Sequence, residues 1–115
     1  MYKRKKERGE CFEENLEKNQ SVMIVRFRFS EDMKSIDSFS VSQMSLVFGE
    51  LKEIIRYDCS ETERVNVHEF FINKHQKRFF DKPKNADTVI WCMDRIRKNW
   101  REFKSKFELK GKKLR

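Results

Sequence analysis

Residues 40–57, Ser40-Val41-Ser42-Gln43-Met44-Ser45-Leu46-Val47-Phe48-Gly49-Glu50-Leu51-Lys52-Glu53-Ile54-Ile55-Arg56-Tyr57, set the expected architecture. Ser40 and Gln43 stand as an S-x-x-Q capping box, and Phe39 with Met44 occupies the two ends of a hydrophobic staple. Met44, Val47, Phe48, Leu51, Ile54 and Ile55 then recur at helical spacing. The pattern predicts a helix over 41–57. Leu46 and Tyr57 would lie on its back among Glu50 and Glu53, a second apolar patch beside acid.

Upstream, Val22-Met23-Ile24-Val25-Arg26-Phe27-Arg28-Phe29 alternates as a strand. Met23, Val25, Phe27 and Phe29 share one face, with Arg26 and Arg28 on the other. Its first half is apolar on both faces, so cover is expected on both sides there. Residues 3–19 read as a marginal polar helix, because Gly9 and the scarcity of apolar residues weaken it. Downstream, residues 61–80 allow two readings. Ser60 and Glu63 would cap a helix, making a helix-turn-helix with 41–57. Arg64-Val65-Asn66-Val67-His68-Glu69-Phe70-Phe71-Ile72 is instead β-branched and aromatic. The strand at 22–29 needs a hydrogen-bonding partner, which favours a strand at 64–72. Strand, helix and returning strand would form a right-handed crossover if the strands pair in parallel.

Val89, Met93, Ile96, Trp100, Phe103 and Phe107 alternate at spacings of four and three and predict a helix over 87–109, about 35 Å long. Asn85 or Asp87 can cap its start after Pro83, and Gly111 can end it. The expected fold is therefore α+β, or small α/β: two or more short strands with a central helix and a long C-terminal helix. Residues 1–20 read as a polar N-terminal segment and 21–115 as one domain, within the size that a single core supports. The 37% apolar fraction is low, but 11 Phe residues can fill that core.

Charge is unevenly placed. Residues 21–63 carry 5 basic and 8 acidic groups, whereas residues 64–115 carry 16 basic and 6 acidic ones. Such asymmetry points to a polyanionic partner. The candidate contact residues are Arg95, Arg97, Lys98, Arg101 and Lys104 on the last helix, with Lys106 beside them and Lys110, Lys112, Lys113 and Arg115 following. Lys74, Lys77 and Arg78 join them from the aromatic and basic run Phe70–Phe80. Cations on a rigid rod can track phosphates and release counterions without reading sequence. Trp91, nearly opposite the seam and beside Arg95 and Lys98, is a candidate binding anchor. Its competing role is packing against the N-terminal segment or the 70–80 region.

Chemistry has little support in the sequence. His68, Glu69 and His75 cluster locally, as a small ribonuclease-like toxin would require for acid–base cleavage, but the spacing does not match a zinc-binding H-E-x-x-H helix. No catalytic, metal or cofactor motif stands out. Cys11, Cys59 and Cys92 are odd in number and far apart, which predicts reduced thiols in a cytoplasmic protein. No run of about 18 apolar residues predicts a membrane helix, and the basic start Met1–Lys6 leads into no apolar signal segment. The leading expectation is a non-enzymatic basic binding protein that contacts nucleic acid or a nucleoprotein machine through its last helix. The alternative partner is an acidic protein surface, with the chain acting as an inhibitor or adaptor, or a second copy closing a homodimer over the heptad seam. In size and Lys, Asn and Phe content the chain is similar to accessory proteins of viruses and mobile elements, a likeness that assigns no residue.

Overall fold

The computed structural model describes residues 9–74 and 77–113, the side chains of Lys112 and Lys113 excepted. Among the described residues six strands, β1 (Gly9–Glu17), β2 (Ser21–Phe29), β3 (Ile36–Val47), β4 (Glu50–Cys59), β5 (Asn66–Glu69) and β6 (Lys77–Phe79), precede one helix, α1 (Ala86–Lys113). The strands form a single sheet in sequence order. Every neighbouring pair is antiparallel, so the sheet is a meander without a crossover. Among the described residues, no helix is long and apolar enough to cross a membrane.

α1 covers one face of this sheet. Val89, Cys92, Met93, Ile96, Trp100 and Phe103 are buried against Met23 and Val25 of β2, Phe39 and Val41 of β3, Ile55 and Tyr57 of β4, and Val67 of β5. The expected seam is therefore this helix's core face, with Cys92 added and Phe107 half-buried. Burying each large side chain contributes about 1.5–3 kcal/mol. The Asn85 side chain caps the start, its Oδ1 accepting from the Thr88 N–H at 3.0 Å.

The central helix does not form. Residues 41–57 instead supply β3, β4 and the two-residue turn between them. Phe48 and Gly49 both have positive φ, 49° and 82°, as a tight hairpin of right-handed twist requires. Along β3, Val41, Gln43, Ser45 and Val47 are buried toward α1 while Ser42, Met44 and Leu46 point to the other face. Period two wins over the helical spacing. The helix-turn-helix alternative fails with it, because Asn66–Glu69 and Lys77–Phe79 are strands. The Ser60 and Glu63 pair does make its capping contact, Glu63 N–H to Ser60 Oγ at 3.0 Å, but in the loop between β4 and β5.

Three further expectations change. Residues 9–17 are an edge strand rather than a frayed helix, because pairing with β2 satisfies their backbone. Gly111 does not terminate α1, which continues through it. A Cβ there would come within 3.0 Å of the Phe48 ring, so the glycine admits the hairpin tip against the helix. A homodimer cannot close over the heptad seam, because the seam is occupied by the chain's own sheet. The cover expected on both sides of early β2 is present on one side only. Met23 and Val25 lie under α1, whereas Val22 and Ile24 sit half-buried on a face that no described element covers.

Candidate polyanion-binding face

The core seam fixes the rotation of α1 and hence the direction of each cation. Arg97 turns toward β1 and meets Glu14: Nε donates to Oε2 and Nη2 to Oε1, both at 2.7 Å. Its Nη1 also donates to Asp94 Oδ1 at 2.9 Å. The Arg97 guanidinium holds the Glu14 carboxyl below its usual range, and Glu14 in turn raises the arginine's pKa. The Arg97 charge is thereby paired with two carboxylates.

Arg95 turns the opposite way. Its Nε donates to the Tyr57 hydroxyl at 3.1 Å, and its guanidinium lies 5.2 Å from the Trp91 ring centre. Burial raises the Tyr57 pKa, with Arg95 partly opposing the shift. Trp91 packs edge-on against Tyr57 and Phe80, at 5.8 and 5.5 Å, and Lys82 Nζ sits 4.4 Å from its ring centre. The indole is half-buried, packed on Tyr57 and Phe80 with two cations beside its ring.

Lys98 and Arg101 are exposed and Lys104 is half-buried; none forms an ion pair with the described residues. Arg101 stacks on Trp100, 4.4 Å from the ring centre, which limits its conformational freedom while leaving its charge in water. Three residues apart, the three advance roughly 9 Å along the helix. Lys106 is shared with Glu102 at 3.3 Å. Lys110 donates to the Phe70 carbonyl at 2.8 Å.

The second cluster disperses. Lys77 points to the face away from α1 and pairs with Glu63 at 2.7 Å. Arg78, one residue on, faces the α1 side and binds Glu69, Nη2 to Oε1 at 2.7 Å. Lys74 is exposed in the loop after β5, whose start is tied to α1 by Phe71 stacked on Phe103 at 5.3 Å. Strand alternation also separates His68 from Glu69: His68 Nε2 lies 3.7 Å from Asp58 Oδ2 on the open face. His75, Arg115 and Met1–Lys6 lie outside the described residues, as do the side chains of Lys112 and Lys113. Lys82 is not among the sequence candidates, and its proximity to Trp91 has no local sequence signal.

A family model described as "Domain of unknown function (DUF7718)" matches residues 3–113. The chain belongs to that family. No curated protein and no solved structure matches it. The DUF7718 match takes in all six strands and α1, so both sheet faces and the cationic side of the helix fall within one family domain. The open face carries a shallow groove of about 830 Å³ lined by Arg26, Arg28, Ser38, Ser40, Asp58 and Glu63, among others. Both charge signs line it, whereas Lys98, Arg101 and Lys104 on α1 form no ion pair with the described residues.

Proposed function

We propose that the domain is a non-enzymatic binding protein that holds a polyanion, nucleic acid by preference, on the outer side of α1. The observation that carries this reading is the set Lys98, Arg101 and Lys104, presented on a packed helix without carboxylate partners among the described residues. Such cations replace condensed counterions on a phosphate backbone, giving affinity that is insensitive to base sequence. Arg95 is a fourth contributor, because its charge is hydrogen-bonded to a neutral phenol rather than to a carboxylate. With three or four contacts, affinity falls in the non-specific range, Kd of about 10⁻⁴ to 10⁻⁶ M at physiological salt.

The test is titration of labelled duplex DNA, single-stranded DNA and RNA at low and moderate salt. Binding of similar strength to unrelated sequences is expected, weakened by the double variant Lys98→Glu/Arg101→Glu. Absence of binding to every nucleic acid at low salt overturns the proposal. Poly-glutamate serves as the competing polyanion: tighter binding to it than to nucleic acid transfers the site to an acidic protein partner.

A further inference from the structure

An antiparallel sheet with one face on a helix normally presents polar residues on its other face. Here that rule holds at only one end. Along the open face, the strand registers align Asn15, Val22, Met44 and Glu53 in one row across β1 to β4. The next row is Glu13, Ile24, Ser42 and Arg56, and the third is Cys11, Arg26, Ser40 and Asp58. Leu46 and Leu51, directly paired, extend the apolar end toward the β3–β4 turn. Leu51 is 58% exposed, and Val22, Ile24, Met44 and Leu46 are half-buried without any described element above them. Five contiguous apolar side chains on an uncovered sheet face mark an interaction surface.

We propose that a second copy of this chain covers it, making a two-sheet sandwich with the α1 helices on the two outsides. The charge pattern across the rows selects this occupant. A two-fold axis running along the strands between β2 and β3 lays β2 of one copy on β3 of its partner, and β1 on β4. Val22 then meets Met44 of the partner subunit, twice by symmetry. Glu13 meets the partner's Arg56, and Arg26 comes beside the partner's Asp58. Within one chain Glu13 and Arg26 form no ion pair with the described residues. The β4 group of Glu53, Arg56 and Asp58 carries one excess negative charge, which suits Arg26. Aligned packing of two such twisted sheets is the ordinary sandwich geometry. Four strands of about nine residues offer a footprint on the order of 500 Å² per copy. A patch of this order sits at the low end of the size range of specific interfaces, so a weak dimer is expected. This inference is independent of the polyanion reading, because α1 stays outside.

Sedimentation equilibrium of the full chain, up to about 200 µM, tests it. The wild type is expected to move from 14.2 kDa toward twice that mass as concentration rises. Ile24→Glu is expected to stay monomeric, with circular dichroism confirming the fold. Arg26→Glu changes only an exposed side chain and is expected to weaken the dimer about tenfold by facing the partner's Asp58. Lys98→Glu is expected to leave the dimer unchanged while weakening nucleic-acid binding, which separates the two proposals. A wild-type monomer throughout the range, or a dimer indifferent to both Ile24→Glu and Arg26→Glu, overturns the inference.

Discussion

The salt dependence of nucleic-acid binding distinguishes the folded charge layout from the bare sequence. Eight cations are candidates by position, Arg95, Arg97, Lys98, Arg101, Lys104, Lys74, Lys77 and Arg78; engaged together on duplex DNA they would give a log–log salt slope of about −7. The fold pairs Arg97 with Glu14, Lys77 with Glu63 and Arg78 with Glu69. If Lys98, Arg101 and Lys104 make the contact, the slope becomes about −2.7, or about −3.6 with Arg95. Raising salt from about 50 to about 200 mM should then weaken duplex binding roughly 40-fold for three contacts, against roughly 20,000-fold for eight. On single strands the three-contact slope drops to about −2.1. Fluorescence anisotropy of a short labelled duplex measures this directly. Lys98→Glu/Arg101→Glu should leave a slope near about −0.9, or near about −1.8 with Arg95. A wild-type slope near −7 would show that the paired arginines and lysine abandon their carboxylates on binding, and a slope of zero would refute a phosphate contact altogether.

Glu14→Gln leaves Asp94 as the carboxylate partner of Arg97, so duplex binding should gain at most about 0.9 in slope magnitude; an unchanged slope would mean that Arg97 stays with Asp94 or points away from the ligand. The same change should lower stability by less than about 1 kcal/mol, since both side chains are more than a third exposed and water screens the pair. The sign follows from the lowered Glu14 pKa: the stabilisation is present above the ordinary value of 4.5 and is lost as pH falls through the lower folded value, so urea midpoints of wild type and variant should converge in acid. With a thiol-reactive disulfide reagent at mildly alkaline pH, exposed Cys11 should react quickly. Cys59 and Cys92 should wait for unfolding, because burial raises both thiols and pushes Cys92 up to about 12; three fast thiols would contradict the burial. Gln43 is fully buried, its Nε2 donating to Ser45 Oγ and the Trp100 carbonyl. Gln43→Glu sets a carboxyl group against those oxygens and should cost about 3 kcal/mol or more at neutral pH. A buried carboxyl of raised pKa keeps its proton when folded, so the deficit should grow as pH rises past about 4.3 and shrink below it. A pH-independent deficit would show that the introduced carboxyl ionises as readily in the folded protein as in the unfolded chain, against the burial.

Two elements were legible in the sequence because each shows one unbroken period. β2 alternates from Met23 to Phe29, and α1 repeats its seam from Val89 to Phe107 with Asn85 at its cap. The segment between them misleads for a local reason. β3 and β4 meet with a register shift in which Ile54 is the extra residue, so Ile54 and Ile55 are both buried. An adjacent apolar pair is what a helix shows and a regular strand does not. Met44, Val47 and Leu51 lie at helical spacing only because the chain reverses at Phe48 and Gly49. In space Met44 and Leu51 belong to the open face and Val47 to the core. Gln43, read as half of a capping box, is the buried polar contact between β3 and α1.

The candidate site was less legible than the fold, because charge is local in sequence and pairing is not. Glu14 is 83 residues from Arg97, and nothing near either one announces the other. The excess of cations in residues 64–115 is real, yet carboxylates of the first half, Glu14 and Glu63, take up part of it. What survives folding depends on the phase of the seam. Consecutive residues on a helix differ by about 100° in direction. That single step sends Arg97 to an acidic edge strand and leaves Lys98 in water, so two neighbouring cations, indistinguishable by composition, differ in their availability to a phosphate.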